Sequence, residues 1–318
     1  MLIGSIDIGG TKTMVGIVSP DGQILSKLQF NTERSDPKAW ITHSCGRLKE
    51  CIHSLGYDLK ELSGIGVSLP GIVNRERNIL VRTVYPEWNN LRAVELVQRL
   101  LGIHKVVIDN DVNACAIGEM YFGHRDLYRN YLWVTVSTGI GGALVCEGRL
   151  IRGYNGSAGE VGHMKVEFDH PLPCPCGQYG CLEAHGSGTA IKHYIEEEIR
   201  NNRIFSDLFD SLGLSKDAAG CARLAKDGNG TAIEIYRKAA VYIGRGLGYA
   251  VNLLNPEVVI IGGGVGSSLD ILKDGILGTI HKTVNPALLP VDVVRTRLGY
   301  DAAFLGAAAL VIDQMKTE

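Results

Sequence analysis

Charge of one sign, a long apolar run and a disulfide spacing are all missing from this sequence, and each absence removes a class of function. Lys and Arg number 32 against 34 Asp and Glu, a formal charge of -2. No basic field is available to gather phosphates, so a nucleic acid partner is not expected. The opening stretch Met1-Leu2-Ile3-Gly4-Ser5-Ile6-Asp7 meets an acid after one short apolar run. That excludes a signal peptide or a membrane span of about 20 residues at this point, so the expectation is a cytoplasmic protein with no membrane contact. Of eight cysteines, Cys45, Cys51, Cys115, Cys146 and Cys221 are scattered among apolar neighbours, where free Cys acts as a small hydrophobe. The other three cluster, which favours a metal site in a reducing compartment over a disulfide framework.

What is present is a chain of 318 residues, about twice the usual length of one domain, so two domains are expected. Apolar residues at 45% and charged residues at 21% are ordinary for a folded globular protein. Glycine, at 40 residues, is the one excess, and its placement carries the signal.

Leu2 to Ile8, then Gly9-Gly10-Thr11-Lys12, then Met14 to Val18 and Pro20-Asp21-Gly22 read as strand, tight turn, strand and hairpin turn. A similar layout returns at Leu132 to Val136, followed by Ser137-Thr138-Gly139-Ile140-Gly141-Gly142, Ala143 to Cys146 and Glu147-Gly148. Two copies of one plan are expected from this. Asp36-Pro37 caps a helix running toward Leu55, and Ile65 to Leu69 is a buried strand ending at Pro70-Gly71. Asn90 is the candidate cap of a helix Leu91 to Leu101 that Gly102 ends, and Val106 to Ile108 is a strand stopping at Asp109-Asn110-Asp111. Helices are expected at Gly188 to Arg200, Thr231 to Leu254 and Ala302 to Met315, with strands at Val258 to Ile261 and Val291 to Val294. Strands alternating with helices give an α/β architecture, whose ligands gather at the carboxyl ends of strands.

Asp7-Ile8-Gly9-Gly10-Thr11-Lys12 reads equally as a plain hairpin turn or as a phosphate cradle. Its glycines admit backbone N-H groups, Thr11 and Lys12 add donors and charge, and Asp7 is able to hold a metal ion through water. Thr138-Gly139 forms a second such turn, and Gly262-Gly263-Gly264 follows a buried strand where a nucleotide can approach the backbone. Asp111 reads as a helix cap or as a general base at a strand end, with Asn110 orienting substrate oxygens. His163, Cys174, Cys176 and Cys181 supply the four ligands of a tetrahedral structural zinc. His170 and His185 are nearby loop residues that remain alternative ligands. Glu160 and Glu183 bracket the cluster and are suited to pairs of hydrogen bonds with sugar hydroxyls. His163 has a second ring nitrogen to offer a substrate.

Taken in order, these motifs resemble the ROK family of repressors, open reading frames and sugar kinases. The resemblance runs from Asp7-Ile8-Gly9-Gly10-Thr11-Lys12 through Glu160-Val161-Gly162-His163 and the Cys174 to Glu183 run to Asn255-Pro256-Glu257 and Gly262-Gly263-Gly264. It implies an actin-like ATPase fold of two α/β domains flanking an ATP and sugar cleft. The smaller N-terminal domain would be 1-117, joined by the closing helix 302-318, and the larger domain with its zinc-binding loop 118-301. It also implies Asp111 as catalytic base, and Gly71, Asn110, Asp111, Glu160, His163 and Glu183 as sugar-binding positions. Asp7, Gly9, Gly10, Thr11, Lys12, Thr138, Gly139, Gly262, Gly263 and Gly264 match the ATP-binding positions. Magnesium would accompany ATP, zinc would be structural, and a homodimer is implied. The segment Val84 to Asn90 differs from the Pro- and Gly-rich version associated with glucokinases, which leaves the sugar open.

The reaction so implied is transfer of the γ-phosphoryl group of ATP to a hexose, glucose or an N-acetylhexosamine, at the C6 hydroxyl. Two other readings stand beside it: a sugar-responsive transcriptional regulator and a catalytically silent sugar sensor. The regulators carry a helix-turn-helix domain before the first phosphate turn, for which the residues before Asp7 leave no room. A silent sensor is expected to lack the base or a phosphate turn, and both are present.

Overall fold

The computed structural model describes residues 1–317, and the chain divides into two compact units. The first comprises Met1–Tyr128, Gly148–Ala158 and the chain from Thr296 onward; the second comprises Arg129–Glu147 and Gly159–Arg295. The division falls at residues other than 117/118 and 301/302, and the units are close in length rather than small and large. Among the described residues no helix is long and apolar enough to cross a membrane.

The first unit is built on β1 (Leu2–Ile8), β2 (Lys12–Val18), β3 (Ile24–Asn31), β4 (Leu62–Leu69) and β7 (Val106–Asn110), in the order β3-β2-β1-β4-β7. β5 (Ile72–Asn74) and β6 (Ile79–Arg82) form a separate hairpin, and β10 (Arg149–Ile151) lies in the returning segment. β1 is antiparallel to β2 and parallel to β4, which is parallel to β7. Pairing aligns Asp7 with Ser68 and Ser68 with Asp109, so one row across the carboxyl ends of three parallel strands is polar.

The rest of β1, β2 and β4 is almost wholly buried, as expected of strands covered on both faces. One face packs under α1 (Pro37–Ser54) and α2 (Ala93–Leu101), the other under α3 (Asp111–Tyr121) and α10 (Ala302–Thr317). The α1 start follows the expected chemistry, the Asp36 carboxylate accepting from the Lys38 and Ala39 N-H groups at 3.0 Å with Pro37 behind it. The α2 start does not. Asn90 has φ +59° and lies outside the cap position, its N-H donating to Val81 O, and the helix opens at Ala93 after Arg92 without a side-chain cap. Gly102 ends α2 in the left-handed conformation, as read.

The second unit repeats the plan. β8 (Tyr131–Val136) is antiparallel to β9 (Ile140–Cys146) and parallel to β11 (Val258–Gly262), which is parallel to β12 (Asp292–Arg295). Its helices are α4 (Leu182–Gly186), α5 (Gly188–Asn201), α6 (Arg203–Ser211), α7 (Ala218–Lys226), α8 (Gly230–Leu254) and α9 (Leu269–Thr283). Ser187 caps α5, Asp217 caps α7, and Asn255 closes α8 in the left-handed region at φ +44°. Four of the scattered cysteines are buried as small hydrophobes, while Cys146 is exposed, since it ends β9.

Candidate active site and metal centre

In the first unit the strand ends gather acids. Asp7 is buried and accepts a hydrogen bond from the Ser68 hydroxyl. Burial pushes its carboxyl up to about 7, the Ser68 hydroxyl opposes this, and the charges of Asp111 and Asp301 add to the rise. A divalent cation beside Asp7 would reverse that cost, so the residue fits the magnesium role.

Asp109, 1% exposed, is the best-held side chain of the three. One oxygen accepts from the Asn110 N-H at 2.8 Å and from Asn113 Nδ2 at 2.9 Å, and the other from Arg152 Nε at 3.0 Å. Arg75 Nη1 stands 3.8 Å away. Nothing in the local reading singled out Arg152, which comes from 43 residues further along the chain.

Asn110, not Asp111, caps α3: its Oδ1 accepts from the Val112 and Asn113 N-H groups at 2.9 and 3.1 Å. Its Nδ2 donates to Gly71 O at 2.9 Å. Asp111 is the first helical residue, half-buried, and its carboxylate accepts from Val112 N-H at 3.0 Å. The N-terminal end of a helix favours the ionised form of such a carboxylate. Gly71 has φ +122°, and a Cβ there would lie 2.3 Å from Arg82 O, so only glycine lets the β5–β6 hairpin close beside Asn110.

The first glycine turn is braced from behind. Gly9 N-H donates to Lys12 O at 3.0 Å, Thr32 Oγ1 donates to Gly9 O at 2.9 Å, and Trp40 Nε1 donates to Thr13 Oγ1 at 3.0 Å. Thr11 and Lys12 are exposed, so their donors are available to a ligand.

In the second unit the turn Ser137-Thr138-Gly139 is tied to the start of α5, since Gly188 N-H donates to Ser137 O at 2.7 Å and Thr189 Oγ1 to Thr138 O at 2.8 Å. Glu183 braces the same turn, accepting from Ile140 N-H at 2.9 Å. A Cβ on Gly139 would meet this carboxylate at 2.3 Å. One Glu183 oxygen is therefore already committed to the fold.

Beside the turn opens a cavity of about 610 Å³. Thr138, Thr189, Ala219, Tyr236, Gly264 and Ser267 are among its lining residues, which include the N-terminal turn of α7. Its size and mixed lining suit a nucleoside. Of the glycine run only Gly264 lines it; Gly263, at φ +86°, turns the chain against Val136 O. The α7 and Tyr236 walls were not foreseen, because the run Ala218-Ala219-Gly220 carries no chemical signal.

The metal quartet assembles as read. One ligand atom from each of His163, Cys174, Cys176 and Cys181 lies within 4.8 Å of the others. Cys176 Sγ and Cys181 Sγ are 3.8 Å apart, and Cys174 Sγ is 3.7 Å from His163 Nδ1. A tetrahedron with Zn–S bonds of about 2.3 Å has an edge of roughly 3.8 Å, which the Cys176–Cys181 and Cys174–His163 separations match, so the donor set fits zinc. The turn is held by Gly177 N-H to Cys174 O at 2.9 Å and Cys174 N-H to Gln178 O at 2.8 Å.

His185 is committed elsewhere: it is buried in α4 rather than in a loop, and its Nε2 accepts from Leu172 N-H at 3.1 Å. His170 is outside the quartet. With Nδ1 toward the thiols, His163 presents Nε2 to Glu160, 3.7 Å from its carboxylate. Glu183 reaches the cluster from the other side, its Oε1 3.9 Å from Cys174 Sγ.

The model of the ROK family matches residues 3–314. A glucokinase of Thermotoga maritima is 33% identical over 319 residues, covering 99% of this chain and 98% of the relative. An N-acetylmannosamine kinase of Vibrio cholerae is 31% identical over 314 residues, covering 96% and 97%. The crystal structure of a ROK family glucokinase from Streptomyces griseus, in complex with glucose and AMPPNP, has a TM-score of 0.84 at 27% identity, covering 98% of this chain and 100% of that one.

Proposed function

The chain belongs to the ROK family, and from that premise we propose that it is an ATP-dependent hexose kinase acting on the C6 hydroxyl of glucose or an N-acetylhexosamine. The observation that carries the proposal is Asp111: a half-buried carboxylate in the first turn of α3, felt electrostatically by a second acid, Asp7, at the end of β1.

Asp111 takes the proton of the sugar hydroxyl as that oxygen attacks the γ-phosphorus. The new P–O bond forms as the bond from the γ-phosphorus to the bridging oxygen breaks, so ADP leaves with the electron pair and the proton rests on the Asp111 carboxylate. Asp109 keeps the segment in place by holding Asn110 and Asn113. Gly71, Asn110, Glu160, His163 and Glu183 are the residues assigned to hold the sugar, Asn110 and Glu183 with part of their bonding capacity already used. Asp7, Gly9, Gly10, Thr11 and Lys12 handle phosphate and its cation, and the cavity beside Thr138 and Gly264 takes the nucleoside. Magnesium, when bound, neutralises charge on the transferred phosphoryl group. His163, Cys174, Cys176 and Cys181 would hold zinc, which would order the loop bearing His163 and supply no reacting group.

ADP release measured across a panel of hexoses tests the proposal. Glucose or an N-acetylhexosamine is expected to give turnover, with the product carrying phosphate on C6. A protein that releases ADP with no hexose of the panel is not the kinase described.

A further inference from the structure

A second cavity, of about 650 Å³, lies within the first unit along β7, short of the acids at the carboxyl end of that strand. β7 is the last strand of its sheet, so one of its edges is open. Ile65 N-H donates to Lys105 O, and in a parallel ladder alternate residues turn to the partner strand, so Val106 and Ile108 turn their backbone groups to the open side. Both line the cavity. Its wall also carries Arg75, Lys105 and His104 against a single acid, Glu76. The Arg75 side chain is only 23% exposed; Nη2 donates to Gln314 Oε1 at 3.2 Å, and Nη1 stands 3.8 Å from Asp109 Oδ2, too far for a hydrogen bond. Asp109 is already bonded to Arg152, Asn110 and Asn113. Burial and the Arg152 charge both act against the Arg75 cation and lower its pKa, while Asp109 and Asp313 oppose them. A half-buried guanidinium beside a like charge, with donors that no carboxylate takes, suits an incoming oxyanion.

We propose that this cavity is a binding site, apart from the candidate active site, for a small ligand bearing an oxyanion, a phosphate monoester or a carboxylate, held by Arg75 and Lys105. The planar Arg75 fork suits two oxygens of such a group, and the Lys105 ammonium adds a point charge. The volume is more than a bare oxyanion fills, so the ligand has a body as well, which the apolar wall at Val94 and Val107 covers. An anion beside Arg75 neutralises the charge that presses on Arg152. Arg152 holds Asp109, and Asp109 holds Asn110 and Asn113 on either side of Asp111. Occupancy is thereby coupled to the segment that bears the candidate base without the ligand touching it. The binding site stands independently of the kinase reading; the coupling rests on it.

Calorimetry on the full chain, at constant ionic strength and without nucleotide, sugar or divalent cation, measures binding of inorganic phosphate, glucose 6-phosphate and citrate. Saturable binding of one ion per chain is expected, weakened roughly tenfold to a hundredfold by Arg75→Gln and less by Arg75→Lys. Binding of the two phosphates without citrate assigns a phosphoryl ligand, and of citrate alone a carboxylate. Crystals of the parent protein soaked in selenate locate the site by anomalous scattering, so the proposal is decided even where Arg75→Gln fails to fold: a peak beside Arg75 supports it. No saturable binding, equal binding by a folded Arg75→Gln, or selenate at the glycine turns alone overturns it. In the ADP-release assay the bound anion is expected to change kcat of the parent by about fivefold or more, and that of Arg75→Gln far less; an unchanged kcat overturns the coupling. A chain that binds the anion at Arg75 and releases ADP with no hexose overturns the kinase reading and leaves the site in place.

Discussion

The two units share a strand plan and furnish the carboxyl ends of its strands with different residues. In each, a hairpin partner runs antiparallel to the first strand and two parallel strands follow, β2-β1-β4-β7 in one and β9-β8-β11-β12 in the other. Where the first unit ends its strands in Asp7, Ser68 and Asp109, the second ends them in Thr135 and Gly262. Carboxylates at such an edge bring charge and proton acceptors. Small residues there bring room, and the room is occupied by a cavity of about 610 Å³. One backbone arrangement thus carries carboxylates in one copy and a cavity in the other, the difference residing in a few residues after each strand.

Breaking the acidic edge should have the largest effect. Asp111→Asn is expected to lower kcat by about 10² to 10⁴ while KM for sugar changes far less, read in a coupled ADP-release assay. Near-normal turnover would remove Asp111 from the chemistry.

Removing the metal comes next. Cys181→Ser, or prolonged chelation, should release one zinc per chain, measured by elemental analysis, and cost at least about 3 kcal/mol of stability. For a unit of this size that is a Tm loss of roughly 6 to 12 °C. Retention of Tm with zinc gone would mean the loop folds without it.

Gly139→Ala sharpens the contrast in how the two turns are built, because its Cβ would meet the Glu183 carboxylate and push it from Ile140 N-H. About 1 to 3 kcal/mol of destabilisation and a raised KM for ATP are expected.

Asp7 tests the acidic edge through pH. Its folded pKa of about 7 exceeds the ordinary 3.8, so the folded protein binds the proton more tightly than the unfolded chain. In divalent-free buffer the stability linked to Asp7 is present in full below about pH 4 and lost as pH rises through about 7. Asp7→Asn should flatten that part of a Tm-against-pH curve, and an unchanged slope would assign it to other groups.

Much of the site could be read locally, for a physical reason in each case. The zinc quartet lies within a short span of chain, where ligand type and spacing already state a coordination shell. Both glycine turns declare themselves because a hairpin needs residues that few other contexts need. His163 over His185 was a matter of burial, since His185 spends its nitrogen on Leu172 N-H inside α4. Asp111 was ambiguous locally, and the structure separates its two roles by giving the cap to its neighbour Asn110.

By itself, then, the sequence determined the α/β alternation, the family, the metal ligands and the positions of both turns, because each is set by residues adjacent along the chain. The tertiary structure alone decided that Arg152 holds Asp109 and that α7 and Tyr236 wall the cavity beside Gly264. Those partners are brought together by parallel strand pairing and helix packing, which join distant segments without leaving a mark in either one.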